Sequence, residues 1–256
     1  VVTETTTRPA TRGRRPALAF LRELIFVVVG ALIVSSLLRA FVGQMFIIPS
    51  ASMQNTLLEG DRVVVEKVIA FHRGDVVVFT DPANWLPDEP DGPEGPLDHV
   101  LEFVGVPTVG TGHLIKRVIG MPGDTVVCCD DSGRVTVNGV ALDETAYLYT
   151  SSSGVPVAPS DFGFTVVVPR DRIFVMGDHR DLSADSRCHL TDLSTQGRGQ
   201  TAFVPISDVV GPAFAIAAPF NRAKRLHVPA TFTNVPDAPA PPPESGEIKL
   251  EGAGCG

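Results

Sequence analysis

Leu24 to Leu38 reads LIFVVVGALIVSSLL, fifteen residues without a charge, and it follows a strongly basic segment. A run of this kind must find either a protein core or lipid, which limits the chain more than any other feature. Upstream, Ala17 to Leu21 is also apolar as far as Arg22-Glu23; downstream, Arg39 leads into the mostly apolar Ala40 to Ile48. Spanning a bilayer takes about 20 apolar residues, and the long stems of Arg22 and Arg39 can extend the usable length by reaching to the two interfaces. Residues 1–22 carry Arg8, Arg12, Arg14, Arg15 and Arg22 against Glu4, a local charge of +4 in a chain of net charge −8. The expectation is a transmembrane anchor over 22–42 behind a basic tail, 1–21, on the cytoplasmic side. A cleaved leader is the weaker reading, because Leu38 is followed by Arg39 and bulky Phe41 and not by a small-x-small exit. A buried core helix is weaker again, since the run has no polar face. The acidic remainder and the short basic tip argue against nucleic acid as a partner.

From Arg62 onward the pattern changes to short β-rich runs separated by Gly and Pro. Val63–Val65, Val76–Phe79, Leu114–Ile119, Thr125–Cys128, Val135–Val137, Thr165–Val168 and Ile173–Met176 read as strands, and Asn138-Gly139 as a two-residue hairpin turn. With no long helical pattern after residue 50, the fold class is mostly β: an antiparallel β-sheet domain over 43–220 behind one N-terminal helix. The Pro-rich, acidic stretch at about 81–98 reads as a surface loop insertion, and Ser151–Ser160 as a second loop. Residues 221–256, with Ala238 to Pro243 and a Gly-rich end, read as a disordered tail. Cys128, Cys129, Cys188 and Cys255 lack the paired spacing of a zinc site, so no metal is expected. One of the adjacent pair bridges Cys188, or all are ordinary thiols; Cys255 reads as unpaired.

Three segments carry candidate chemistry. Ile47 to Leu57 holds Ser50 and Ser52 between apolar neighbours, which by composition alone is a polar turn. Lys116 is one of only four lysines, and on a strand it shares a face with Leu114 and Val118. It is therefore either a snorkelling surface residue or a desolvated amine. A desolvated lysine loses its proton more readily, and a neutral amine can take the proton of a serine hydroxyl. A third segment, Phe174 to Arg187, is either a loop of surface ion pairs or the wall of a site. His179 invites a Ser-His-Asp reading, but it sits between charged residues with no oxyanion-loop signature beside it.

In this order and behind an apolar segment, Pro49-Ser50-Ala51-Ser52-Met53, Ile115 to Asp124, and Gly177-Asp178 through Ser183 to Arg187 resemble bacterial type I signal peptidases. The resemblance covers most of 44–215, and Gly74 to Phe79 is similar to a further family strand. It implies a membrane-bound serine endopeptidase that removes signal peptides from secreted preproteins by a Ser/Lys dyad. Ser52 would be the nucleophile and Lys116 the general base. The Ser50 hydroxyl and the Ser52 N–H would hold the oxyanion, and Ser183 would orient the lysine. Asp178 with Arg117, and Asp185 with Arg187, would be structural pairs near the site. The implied partners are preprotein signal peptides and the lipid bilayer, with no metal or organic cofactor. The implied location is the bacterial plasma membrane, single-pass, N-terminus cytoplasmic, catalytic domain extracytoplasmic. A lysine in the second motif favours the bacterial type over that of the endoplasmic reticulum. Asn55 stands where many members carry Pro, and His179 where many carry Asn. Two alternatives remain: a self-cleaving Ser/Lys protease of the SOS-repressor type, and a tethered, non-enzymatic β-domain.

Overall fold

The computed structural model describes residues 16–41, 43–86, 112–252 and 255. Most of the basic tail and most of the 81–98 insertion lie outside the described residues. Helix α1 (Pro16–Phe41) is followed by strands β1 (Gly43–Ile47), β2 (Arg62–Glu66), β3 (Val76–Thr80), β4 (His113–Gly120) and β5 (Thr125–Cys128). Then come β6 (Thr136–Val137), β7 (Val140–Ala141), β8 (Gly163–Val167), β9 (Arg172–Met176) and β10 (Val204–Pro205). The last are β11 (Val209–Ala218), β12 (Lys224–Arg225) and β13 (Glu247–Glu251). All strand pairs are antiparallel. The larger sheet runs β1-β2-β11-β3-β4-β9-β10, with β12 on β11; the smaller runs β13-β8-β5-β6-β7.

The valine-rich runs become central strands because both faces are covered. Val76 to Phe79 are buried, as are Leu114 to Gly120. Val77, Phe79, Leu114, Val118 and Val175 form one core, and Val63, Val65, Val76, Val78 and Ile115 another across the sheet. A third core, built on Val126, Phe164, Val166, Phe174 and Phe203, joins the smaller sheet to β4 and β9. Asn138 and Gly139 both take positive φ, 50° and 81°, as a tight hairpin between β6 and β7 requires.

Helix α1 exposes its apolar side chains, among them Phe26 at 70%, Val27 at 68% and Val34 at 57%. Among the described residues no helix is long and apolar enough to cross a membrane, so the anchor expected over 22–42 is not met there. Arg22-Glu23 cuts the apolar run on one side, and the charge-free stretch is itself shorter than the about 20 residues a span takes.

The disordered tail expected at 221–256 is corrected by ordered structure. Phe232 and Val235 enter the third core, and Ile248 and Leu250 pack against it. Strand β13 pairs with β8 from Glu247↔Val167 to Glu251↔Gly163. The prolines do not prevent this, because the strap is tied by its carbonyls and by side chains. Asn138 Nδ2 donates to Pro236 O at 2.9 Å and Arg170 N to Pro243 O at 2.8 Å. Gln200 exchanges two bonds with the backbone of Gly246. Cys255, expected to be unpaired, is bonded to Cys188, and Cys128 to Cys129, so neither member of the adjacent pair reaches Cys188. The Cys188–Cys255 link closes a loop of sequence separation 67. Replacing Cys255 by Ser should therefore lower unfolding stability by about 2–4 kcal/mol, seen as a lower midpoint in denaturant. An unchanged midpoint would mean that the strap is held by its hydrogen bonds and packing alone.

Candidate active site

The segment between β1 and β2 is pinned by what it buries. Ile48, Met53 and Leu57 lie in the core, and a single 3-10 turn, Ala51–Met53, lifts Ser52 between them. Gln54 N donates to Ala51 O at 2.9 Å and Leu57 N to Met53 O at 2.8 Å, which closes the turn. Burying Met53 and Leu57 completely contributes about 1.5–3 kcal/mol each, enough to hold one loop geometry. Asn55 sits at φ 94°, which a proline ring, fixed near −65°, cannot adopt. Its side-chain amide donates to Leu148 O at 3.0 Å, so a hydrogen bond fixes this turn where a ring does not.

Lys116 lies mid-strand on β4, opposite Val77 of β3, and is 3% exposed. Its Nζ donates to Ser52 Oγ at 2.6 Å, and Ser50 Oγ donates to the same oxygen at 3.3 Å. Desolvation by the surrounding apolar strands lowers the amine from its ordinary 10.5 to about 8, against the opposing pull of Asp185 and Asp178. A sizeable fraction of this lysine is then neutral near pH 8 and can accept a proton from the hydroxyl it touches. Ser50 is exposed, with its hydroxyl beside Ser52 on the open side.

The loop after β9 closes the site. Arg117, one residue past the lysine, forks onto Asp178: Nε to Oδ1 at 2.8 Å and Nη2 to Oδ2 at 2.7 Å. Thr56 of the Ser52 segment also donates to Asp178 Oδ2. Arg187 forks onto Asp185 at 2.9 Å through both Nε and Nη2. Burial alone would raise the Asp185 carboxyl, but the Arg187 charge and hydrogen bonds hold it below its ordinary value. Asp185 also accepts from Gly177 N at 2.9 Å and from Ser183 Oγ at 2.8 Å. Ser183 thus donates to Asp185, and the direct bond expected between Ser183 and the lysine amine is not among its hydrogen bonds. The carboxylate is the stronger acceptor, and it lies only two residues away.

His179 is 5% exposed and not in a solvated turn. Its ring stacks on Tyr149 with centroids 3.8 Å apart, and its backbone N–H donates to Ser52 O at 3.0 Å. Ser52 Oγ meets Lys116, so the histidine serves here by its backbone. Glu144, Tyr147 and Arg180 were not legible as site residues. Arg180 is buried and paired with Glu144 of the β7–β8 connection, and Tyr147 donates to Glu144 Oε1 at 2.8 Å. Arg117 lies 4.4 Å over the Tyr147 ring. The spacing Glu144-x-x-Tyr147 was the available signal, but it says nothing of a partner thirty-six residues away. Among the described residues no group of His, Cys, Asp and Glu could hold a metal ion.

A family model described as "Signal peptidase, peptidase S26" matches residues 21–218. "Signal peptidase I" of Mycobacterium tuberculosis is 35% identical over 237 residues, covering 84% of this chain and 76% of its own. "Probable signal peptidase I" of Mycobacterium leprae is 37% identical over 207 residues, covering 71% of each. A solved signal peptidase I from Enterococcus faecalis is 21% identical at a TM-score of 0.30, over 57% of this chain and 97% of that one.

Proposed function

The chain belongs to the signal peptidase family, peptidase S26, and on that footing we propose that it is a membrane-bound serine endopeptidase that removes signal peptides through Ser52 and Lys116. The observation that carries this reading is the 2.6 Å contact between Lys116 Nζ and Ser52 Oγ, with the amine stripped of water. Neutral Lys116 takes the hydroxyl proton as Ser52 Oγ attacks the scissile carbonyl. The Ser52 N–H and the Ser50 hydroxyl stabilise the oxyanion, and one such donor is often worth about 10²–10³-fold in rate. The ammonium then protonates the leaving amine, which departs with the mature chain and leaves the signal peptide as an ester on Ser52. Lys116 next deprotonates water, which attacks that ester and frees the enzyme. No metal or organic cofactor enters these steps.

Helix α1, with its uncovered apolar side chains, holds the domain against the bacterial plasma membrane, on the outer face. Preprotein signal peptides end at that surface, and nucleic acid has no part. Detergent-solubilised chain incubated with a peptide p-nitrophenyl ester ending in Ala should gain an acyl mass on Ser52. The Ser52→Ala variant should gain none and should leave a preprotein uncut. Preprotein cleavage by Ser52→Ala at the wild-type rate would end this reading and favour the tethered binding module or another nucleophile.

A further inference from the structure

We propose that Glu144 is a positioning residue for the Ser52–Lys116 pair, acting through Arg180 on the carbonyl of Gly177; this rests on the Ser/Lys reading above. Glu144 is 4% exposed and belongs to a short turn between β7 and β8, an element of the smaller sheet and not of the strands that carry the site. Leu142 and Tyr147 on either side of it are buried in the third core, which fixes the turn to that sheet. Glu144 O accepts from Tyr147 N at 3.0 Å and from Leu148 N at 2.9 Å, closing the turn.

From there the turn touches both halves of the site. On one side, Leu148 O takes the Asn55 amide of the nucleophile segment at 3.0 Å. On the other, Tyr149 N donates to Asp178 O at 2.9 Å, and the Glu144 carboxylate takes both Nη groups of Arg180. With its fork held, Arg180 donates Nε to Gly177 O at 2.9 Å. Asp185 takes Gly177 N–H at the same length, so this glycine is held at both its N–H and its C=O. Gly177 packs directly between Ser183 and the carbonyl of Ser52, which leaves it no room to drift without moving one of them. Arg180 in turn gives its own carbonyl to Arg187 Nη2 at 2.6 Å, tying the second ion pair to the same frame. Burial alone would lower the Arg180 pKa, but Glu144 first and then Tyr147 push it up, so the guanidinium keeps its charge.

Removing the Glu144 charge leaves Arg180 without an anion at its fork, and its Nε no longer has a fixed line to Gly177 O. Displacements of about 1 Å at the reacting groups can cost about 10²-fold in rate. The expected result for Glu144→Gln is a kcat on the p-nitrophenyl ester reduced by about 10–10²-fold with KM within about twofold, at a temperature well below the melting point. Glu144→Asp keeps the charge pair but draws the carboxylate back by one methylene. It should fold, with kcat reduced by about tenfold and KM unchanged. A merely structural ion pair would lower Tm and leave kcat of the folded fraction intact. The proposal is overturned if folded Glu144→Gln turns over within about twofold of wild type, or, should that variant not fold, if Glu144→Asp does. Wild-type chain that is never acylated on Ser52 would instead end the Ser/Lys reading, so the two failures are told apart.

Discussion

Lys116→Met is expected to lower kcat/KM on a preprotein by about 10³-fold or more while making the folded protein more stable at pH 7. The two effects share one cause. The amine is pulled from 10.5 to about 8 because burial disfavours its charged form. Between those values the unfolded chain binds a proton that the folded one has released, so stability rises with pH across that window. Below it the buried ammonium costs the fold about 3 kcal/mol, taking 1.36 kcal/mol per pH unit. Methionine, similar in length and uncharged, removes this cost together with the amine proposed as base. Wild-type activity should rise with pH through about 8, as the neutral amine accumulates. Thermal melts and a pH–rate profile on both proteins check this. A Lys116→Met variant that is less stable at pH 7, or a wild-type profile with no inflection near 8, would show that the amine is not desolvated as described.

Much of this arrangement was legible because each local signal agreed with its surroundings. The valine runs alternate or are wholly apolar, and they became the strands that flank the site. Lys116 stood out because a rare residue type interrupts an apolar strand, and the fold buries it. Strand β11, the longest among the described residues, was not legible: Gly211-Pro212 breaks the β pattern, the small alanines that follow carry little β signal, and its pairing with β3 shifts register between Val209 and Gly211. The C-terminal strap was misread from its prolines, although Glu247-Ile248-Lys249-Leu250-Glu251 alternates as an edge strand should. Ser183 was placed on the lysine by resemblance, whereas proximity to Asp185 decides its proton. Glu144 could not be found at all, since a buried acid is recognisable only by the buried cation that the fold brings to it.

Gly177→Ala is the second large effect. A methyl there would lie 2.6 Å from Ser52 O and 2.5 Å from Ser183 Cβ, closer than carbon atoms tolerate. The backbone cannot give way, because Asp185 holds its N–H and Arg180 its C=O. Ser52 is held in turn: His179 N–H fixes its carbonyl at 3.0 Å, and Met53 beside it is fully buried. Strain must therefore move either Ser52, which disturbs its 2.6 Å contact with Lys116, or Ser183, which disturbs its hydrogen bond to Asp185. Overpacking of this kind costs about 1–3 kcal/mol, which a fold of this size survives. Misalignment at the reacting atoms costs about 10²-fold, so the loss should fall on kcat with the protein still folded. Gly30→Ala, where an added Cβ meets nothing within 4 Å, is the matched control and should leave the rate unchanged. Equal kcat in both variants would mean that Ser52 and Ser183 have slack that their hydrogen bonds do not suggest, and that the tight frame around Gly177 is not what sets the geometry of the pair.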